Sequence, residues 1–286
     1  MSLPISVSNL RFGVRQVPMR LPFRFGAVTL TAAAQIHLFA DVETRNGHRA
    51  QGVAADMLAP KWFDKDPSKT YADNMNDLID SAQAACSAVA AVDGPASAFD
   101  LWKLGYDAAL AWGESRGLNE LTSAYGSTLL ERAIIDGLGR AAGLSYFDML
   151  RENHLGIDLG SLHDQLTGMS PADLLPATPR TTMQVRHTVG LLDPLREEAI
   201  AASARINDGL PQGLDQYIAQ QGLTYFKVKV GGDVDVDVER LSQIAEVISG
   251  IDNVKVTLDG NEQYSDPDLL VNLLDRLESG SDPVRR

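Results

Sequence analysis

Lys227 and Lys229 stand two residues apart in the run Tyr225-Phe226-Lys227-Val228-Lys229-Val230, and thirty residues after Lys229 a second apolar run, Val256-Thr257-Leu258, ends at Asp259-Gly260-Asn261. A segment of helical periodicity lies between them, the order of a strand, a helix and a parallel strand. Residues i and i+2 of a strand share a face, so the two ammonium groups project into one space, about 7 Å apart along the backbone. The carboxyl ends of parallel strands form the rim where α/β proteins carry their sites, and two like charges there call for an anion. Like charge or a metal cation nearby lowers a lysine's pKa and an anionic ligand raises it, so such a lysine can be poised as a base. Asp259 can offer oxygen to a hard divalent cation such as Mg²⁺, and Asn261 can orient that carboxylate or touch substrate. Taken singly, Lys-x-Lys at a strand end is often a pair of solvated amines and Asp-Gly-Asn often a turn. Their recurrence at corresponding positions of consecutive βα units gives them weight.

The elements that must hold these residues follow from periodicity. The first sixty residues read as strands: roughly Ile5 to Val17, then Val28 to Val42, an Asn46-Gly47 turn, and a return from Arg49 to Met57. From Tyr71 the spacing becomes helical, with helices predicted near 73–91, 97–113 and 122–142. In the last of these Leu129, Leu130, Ala133, Ile134, Gly137, Leu138 and Ala141 form one face and Gly143 can end it. Residues 153–179 are rich in Gly, Asp, Ser and Pro, with one short helix expected after Ser170. Beyond them strands at Thr182–Val189, Tyr225–Val230 and Val254–Leu258 alternate with helices at Gly213–Gln221, Val236–Ile248 and Asp266–Leu277. The expected fold class is an α+β capping domain followed by an incomplete (β/α) TIM-type barrel. The domains are read as 1–145, a connection over 146–180, and three βα units over 181–286.

With Phe226-Lys227-Val228-Lys229-Val230-Gly231 on the second barrel strand and Leu258-Asp259-Gly260-Asn261 on the third, the chain resembles the enolase superfamily, in its mandelate racemase and muconate lactonizing enzyme branch. The stretch from Glu131 to Gly143, with Asp136 and Gly139, is similar to the helix that precedes the barrel in that family. The resemblance implies that Lys229 abstracts the proton α to a substrate carboxylate, that Lys227 holds and polarises that carboxylate, and that Asp259 binds Mg²⁺. Racemisation, cycloisomerisation and dehydration are the outcomes it allows. Further acidic ligands and an acid/base partner are implied on later strands, and the 286 residues are read as a truncated chain that stops short of them. The rival expectation is therefore a catalytically inactive remnant or a non-enzymatic binding protein. Loops of the capping domain select the substrate in this family. The matching stretches are 18–26 and 56–66, with Arg20, Arg24 and Lys61 facing an anion and Trp62, Phe23 or Phe25 lining a pocket.

Other motifs carry less. Gly113-Glu114-Ser115-Arg116-Gly117 has the spacing of a nucleophile elbow, but a helical rather than a strand pattern precedes it. Asp233, Asp235 and Asp237 begin like a calcium loop, yet Val238 and Ile244 stand where glycine and glutamate are needed, so solvation or helix capping is expected. Gly231-Gly232 could cradle phosphate were it not followed by those aspartates. His37, His48, His154, His163 and His187 lack metal-ligand spacing. A net charge of −13 repels nucleic acid, and the lone Cys86 excludes an internal disulfide and suits a reducing compartment. No apolar run approaches membrane-helix length. A cytoplasmic protein is expected, acting on a small carboxylate-bearing organic substrate and forming a homo-oligomer at most.

Overall fold

The computed structural model describes residues 2–25 and 28–280. The chain divides into two compact units, Met1–Pro18 with Ala32–Arg180, and Met19–Thr31 with Thr181–Arg286.

Three strands, β1 (Ile5–Phe25), β2 (Val28–Thr44) and β3 (Arg49–Met57), form a sheet in the order β1-β2-β3; the first unit is built on β3 and on residues 5–18 and 32–44 of the other two, and residues 19–31 belong to the second. Strands β2 and β3 pair antiparallel from Gln35↔Met57 to Glu43↔Arg49. Period-two alternation sets the buried face of β2, with Ile36, Leu38, Ala40 and Val42 inside. In the connecting turn Gly47 N–H donates to the Thr44 carbonyl at 2.8 Å and Thr44 N–H to the His48 carbonyl at 2.9 Å. Gly47 takes φ 81°, the left-handed residue that a three-residue hairpin loop needs. Strand β1 continues through residues 18–25, which the sequence pattern assigns to a loop. Pro18 and Pro22 suggest a break, but β1 is an edge strand and the two prolines fall on one side of its backbone, where a missing N–H costs no ladder bond.

Three helices follow, α1 (Tyr71–Ala90), α2 (Ala98–Glu114) and α3 (Glu120–Ala142), each started by a side chain that accepts a first-turn N–H: Thr70 from Asp73, Ser97 from Asp100 and Asn119 from Thr122. Gly143 closes α3 in the left-handed conformation, and the apolar face expected for that helix is the buried one. Close approach of backbones holds this unit together. A Cβ on Gly126 would lie 2.2 Å from the Ala82 nitrogen of α1, and one on Gly52 of β3 would lie 2.0 Å from the Ala133 carbonyl oxygen. Asp136 reaches from α3 to accept the Val53 N–H of edge strand β3 at 2.9 Å. After α3 the chain forms α4 (Tyr146–Arg151) and α5 (Pro171–Leu174), and Arg151 donates to the Leu175 and Pro176 carbonyls at 3.1 and 2.9 Å.

The second unit repeats strand and helix: β4 (Arg186–Val189), α6 (Leu214–Gln221), β5 (Tyr225–Lys229), α7 (Val234–Ile248), β6 (Lys255–Asp259) and α8 (Pro267–Ser279). The strands pair in parallel in the order β4-β5-β6. Strand β4 starts four residues later than its apolar pattern suggests, because its ladder with β5 begins at Arg186↔Tyr225, where β5 itself begins. Phe226 and Val228 of β5 are buried with Val189, Leu214, Leu241, Ile244, Ile248 and Leu273, so the three helices cover one face of the sheet. By alternation the other face carries Arg186, Thr188, Tyr225, Lys227, Lys229, Lys255, Thr257 and Asp259.

Candidate functional site

Strand register brings the chemical groups together on that second face. Lys229 and Asp259 are cross-strand neighbours, and Lys227 lies beside Thr257. Both ammonium groups reach the same oxygen, Lys227 Nζ at 2.9 Å and Lys229 Nζ at 2.8 Å from Asp259 Oδ2. Lys229 Nζ also donates to Asn261 Oδ1, and Asn261 N–H donates to Asp259 Oδ1 at 3.2 Å. Asn261 and Glu262 take φ 46° and 68°, so the chain after β6 curls back and turns the Asn261 carboxamide toward Lys229. The two lysines differ in depth: the Lys229 side chain is 3% exposed and that of Lys227 26%. Burial by itself raises the Asp259 carboxyl, but hydrogen bonds from Lys229 and Lys227 outweigh it and hold the group at about 2. Counting Arg186, which donates to Thr257 Oγ1 at 3.3 Å, and Lys255, this face carries four cations and one carboxylate. A sheet face with that surplus is suited to an anion.

Beside it, the Gly231-Gly232 amides already hold an anion, and it belongs to the protein. Asp237, 2% exposed, accepts Gly231 N–H at 2.8 Å and Gly232 N–H at 2.9 Å, together with Tyr264 Oη–H at 2.6 Å. Burial and the adjacent Asp237 raise the Tyr264 phenol. The three aspartates expected to be solvated or capping thus take different roles. Asp233 caps α7, Asp235 pairs with Arg276, and Asp237 is internal. A helical reading could have found this, since Asp237 shares a face with Leu241, Ile244 and Ile248.

Arg20 and Lys61 of the loop candidates make bonds within their own units. Arg20 spends its guanidinium on Asp208 at 2.6 and 2.7 Å and on the carbonyls of Pro211 and Leu210 at 2.9 and 3.1 Å, all within the second unit. Asp208 is held well below the usual carboxylate range by Arg20. Arg20→Ala is expected to speed hydrogen exchange in residues 205–212 roughly three- to tenfold while peptides from β5 keep their protection. Equal exchange in both variants would mean that the clamp is not formed. Arg24 is exposed. Lys61, in the first unit, has φ 60° and donates its Nζ protons to the Asp66 and Lys69 carbonyls, both at 2.6 Å, so it folds its own loop. Trp62 in that loop is exposed. Phe23 lines a cavity of about 230 Å³ with Met19, Leu21, His187, Leu214 and Tyr217. The Phe25 side chain lies outside the described residues.

Ser115 of the elbow-like motif caps the C-terminus of α2 and donates to the Trp112 carbonyl at 2.7 Å, with no strand before it. Cys86 is buried in α1, which pushes its thiol up to about 12. His187 packs on Tyr217 at 4.8 Å between ring centroids, and burial lowers its pKa. Among the described residues no three His, Cys, Asp or Glu side chains lie together as a metal site, and no helix is long and apolar enough to cross a membrane.

No protein-family model and no curated protein sequence matches the chain. Solved structures do match. An enolase from Bradyrhizobium complexed with magnesium and mandelic acid superposes with a TM-score of 0.59 at 17% identity, over 98% of this chain and 60% of that one. A mandelate racemase/muconate lactonizing protein from Herpetosiphon aurantiacus gives 0.54 at 19% identity, over 97% and 59%. The L-Ala-D/L-Glu epimerase from Bacillus subtilis, in a substrate-liganded complex, gives 0.55 at 18% identity, over 96% and 58%. The chain therefore spans about 60% of the length of these structures, and over that span it shares their fold: a three-stranded sheet with helices, followed by parallel β/α units.

Proposed function

We propose that this chain carries the proton-abstracting part of a Mg²⁺-dependent enolase-superfamily site acting on a small carboxylate-bearing molecule. The observation that carries this reading is the convergence of the Lys227 and Lys229 ammonium groups on one oxygen of Asp259, with a cationic surplus on the face around them. Lys229, buried at the strand end and held by Asn261, is the base for the proton α to the carboxylate. Lys227, more open to water, holds and polarises the substrate carboxylate. The donor set suits a hard cation in part: Asp259 would hold Mg²⁺, its Oδ1 steadied by the Asn261 N–H, with water and substrate filling the remaining positions. Bound there, Mg²⁺ supplies positive charge where an ene-diolate would build negative charge. Racemisation, cycloisomerisation and dehydration share this first step. A reducing cytoplasm suits the single buried Cys86.

The test is exchange of the α-proton in D₂O, followed by NMR, with mandelate and dipeptides and millimolar Mg²⁺. The expected result is exchange that Lys229→Met lowers by about a thousandfold. Exchange that survives Lys229→Met removes the assigned base. The presence of one carboxylate shared by two ammonium groups, with no acidic cluster among the described residues, favours a second reading, a non-catalytic remnant or binding protein. Absence of exchange together with absence of heat on titrating Mg²⁺ decides for it.

A further inference from the structure

Asp237, in the first turn of α7, bonds to both of the loops that follow the site-bearing strands. Its carboxylate accepts Gly231 N–H at 2.8 Å and Gly232 N–H at 2.9 Å from the loop after β5. The oxygen that takes Gly232, Oδ2, also accepts Tyr264 Oη–H at 2.6 Å from the loop after β6. Gly231 lies two residues from Lys229, and Gly260 follows Asp259 directly. All of these residues belong to the second unit.

The two loops also meet through their backbones. A Cβ on Gly232, which takes φ 88°, would lie 2.6 Å from the Gln263 carbonyl oxygen, an approach that only glycine allows. The Tyr264 ring covers Gly260, whose Cβ would stand 3.0 Å from its Cδ2. Between Gly260 and Tyr264 the chain is strained. Gln263 N–H donates to the Gly260 carbonyl at 2.8 Å and closes a turn whose central residues, Asn261 and Glu262, have φ 46° and 68°. Two successive positive φ angles are the type I′ pattern, dominated by glycine, asparagine and aspartate, so a glutamate at the second place is kept there by what surrounds the turn. On one side of the strained pair the Asn261 carboxamide accepts a Lys229 Nζ proton, and on the other Tyr264 is anchored on Asp237.

We infer that Asp237 is a positioning residue for the site: by holding the Gly231 and Gly232 amides and the Tyr264 hydroxyl together it locks the turn after β6 to the loop after β5 and keeps the Asn261 carboxamide against Lys229. Its bearing on catalysis rests on the reading of Lys229 as the base, and Asp237 itself acts only through the two loops. A carboxylate suits the task because one group accepts from both loops at once, and a charged acceptor makes stronger bonds than a neutral one.

Heteronuclear NMR tests the lock without turnover. Tyr264→Phe keeps the ring and removes the hydroxyl. It is expected to shift the Asn261 carboxamide signals, assigned through their loss in Asn261→Ala, and to speed exchange of the Asn261 and Gln263 amides about tenfold, while the Gly231 and Gly232 amides keep their protection. Asp237→Asn is expected to speed all four. Should the buried Asp237 variant fail to fold, Tyr264→Phe still decides, because Tyr264 is only half-buried and its ring stays in place. In the α-proton exchange assay Tyr264→Phe is expected to lower the maximal rate about tenfold with the half-saturating substrate concentration unchanged. Asn261 signals and amide exchange that match the wild type overturn the inference, and so does an unchanged maximal rate alongside a displaced Asn261. If the wild-type chain exchanges no α-proton, the assigned reaction fails and the NMR readout alone decides the lock.

Discussion

Asp259→Asn is expected to destabilise the parallel-sheet unit by about 3 kcal/mol at neutral pH, because it leaves the Lys229 ammonium buried without its counter-charge. The asparagine keeps the shape and one acceptor, so the loss reports charge rather than packing. Acid should erase the difference. The wild-type carboxyl is held at about 2, below its value near 4 in the unfolded chain, so its contribution is complete above pH ~4 and lost as the pH falls through ~2. Hydrogen exchange in β5 peptides across that window measures both effects, with the two proteins converging at the acid end. Adding Lys229→Met to Asp259→Asn should recover part of the stability, since the unpaired charge is then gone. A cost below about 0.5 kcal/mol at neutral pH would mean that the shared carboxylate is not made.

Gly126→Val is expected to cost the first unit at least about 3 kcal/mol, the upper range for overpacking. The added carbon meets backbone rather than a flexible side chain: the Ala82 nitrogen at 2.2 Å, its Cα at 2.3 Å and the Ser81 carbonyl carbon at 2.4 Å. Moving α1 away also breaks the bonds in which Ser81 Oγ donates to the Ser123 carbonyl at 2.6 Å and accepts Gly126 N–H at 2.9 Å. Urea denaturation followed by tryptophan fluorescence reads this unit selectively, since Trp62, Trp102 and Trp112 all lie in it. Gly250→Ala, with open space where its Cβ would stand, should leave the transition in place. Near-wild-type stability of the Gly126 variant would show that the α1–α3 crossing is wider than described.

Much of this protein is written in local rules. Helix starts at Thr70, Ser97 and Asn119, the stop at Gly143 and the turn at Gly47 follow from side chains bonding to their own backbone or from a tolerated left-handed φ. That Lys227 and Lys229 share a face follows from the two-residue period of a strand. Tertiary structure decided the rest. Lys229 and Asp259 are thirty residues apart, and only the register of β5 against β6 makes them neighbours. The depth of Lys229 relative to Lys227 comes from packing at the sheet's end, which no spacing encodes. Arg20 and Asp237 show the same limit from the other side. Their charges suggest an exposed anion-binding arginine and a solvated acid, but Arg20 is committed to Asp208 and Asp237 to the Gly231 and Gly232 amides. Periodicity and capping are properties of a few consecutive residues and survive in the bare sequence. Partner choice and burial depend on which distant segments pack together, and there the buried polar group must find its bond wherever the fold supplies one.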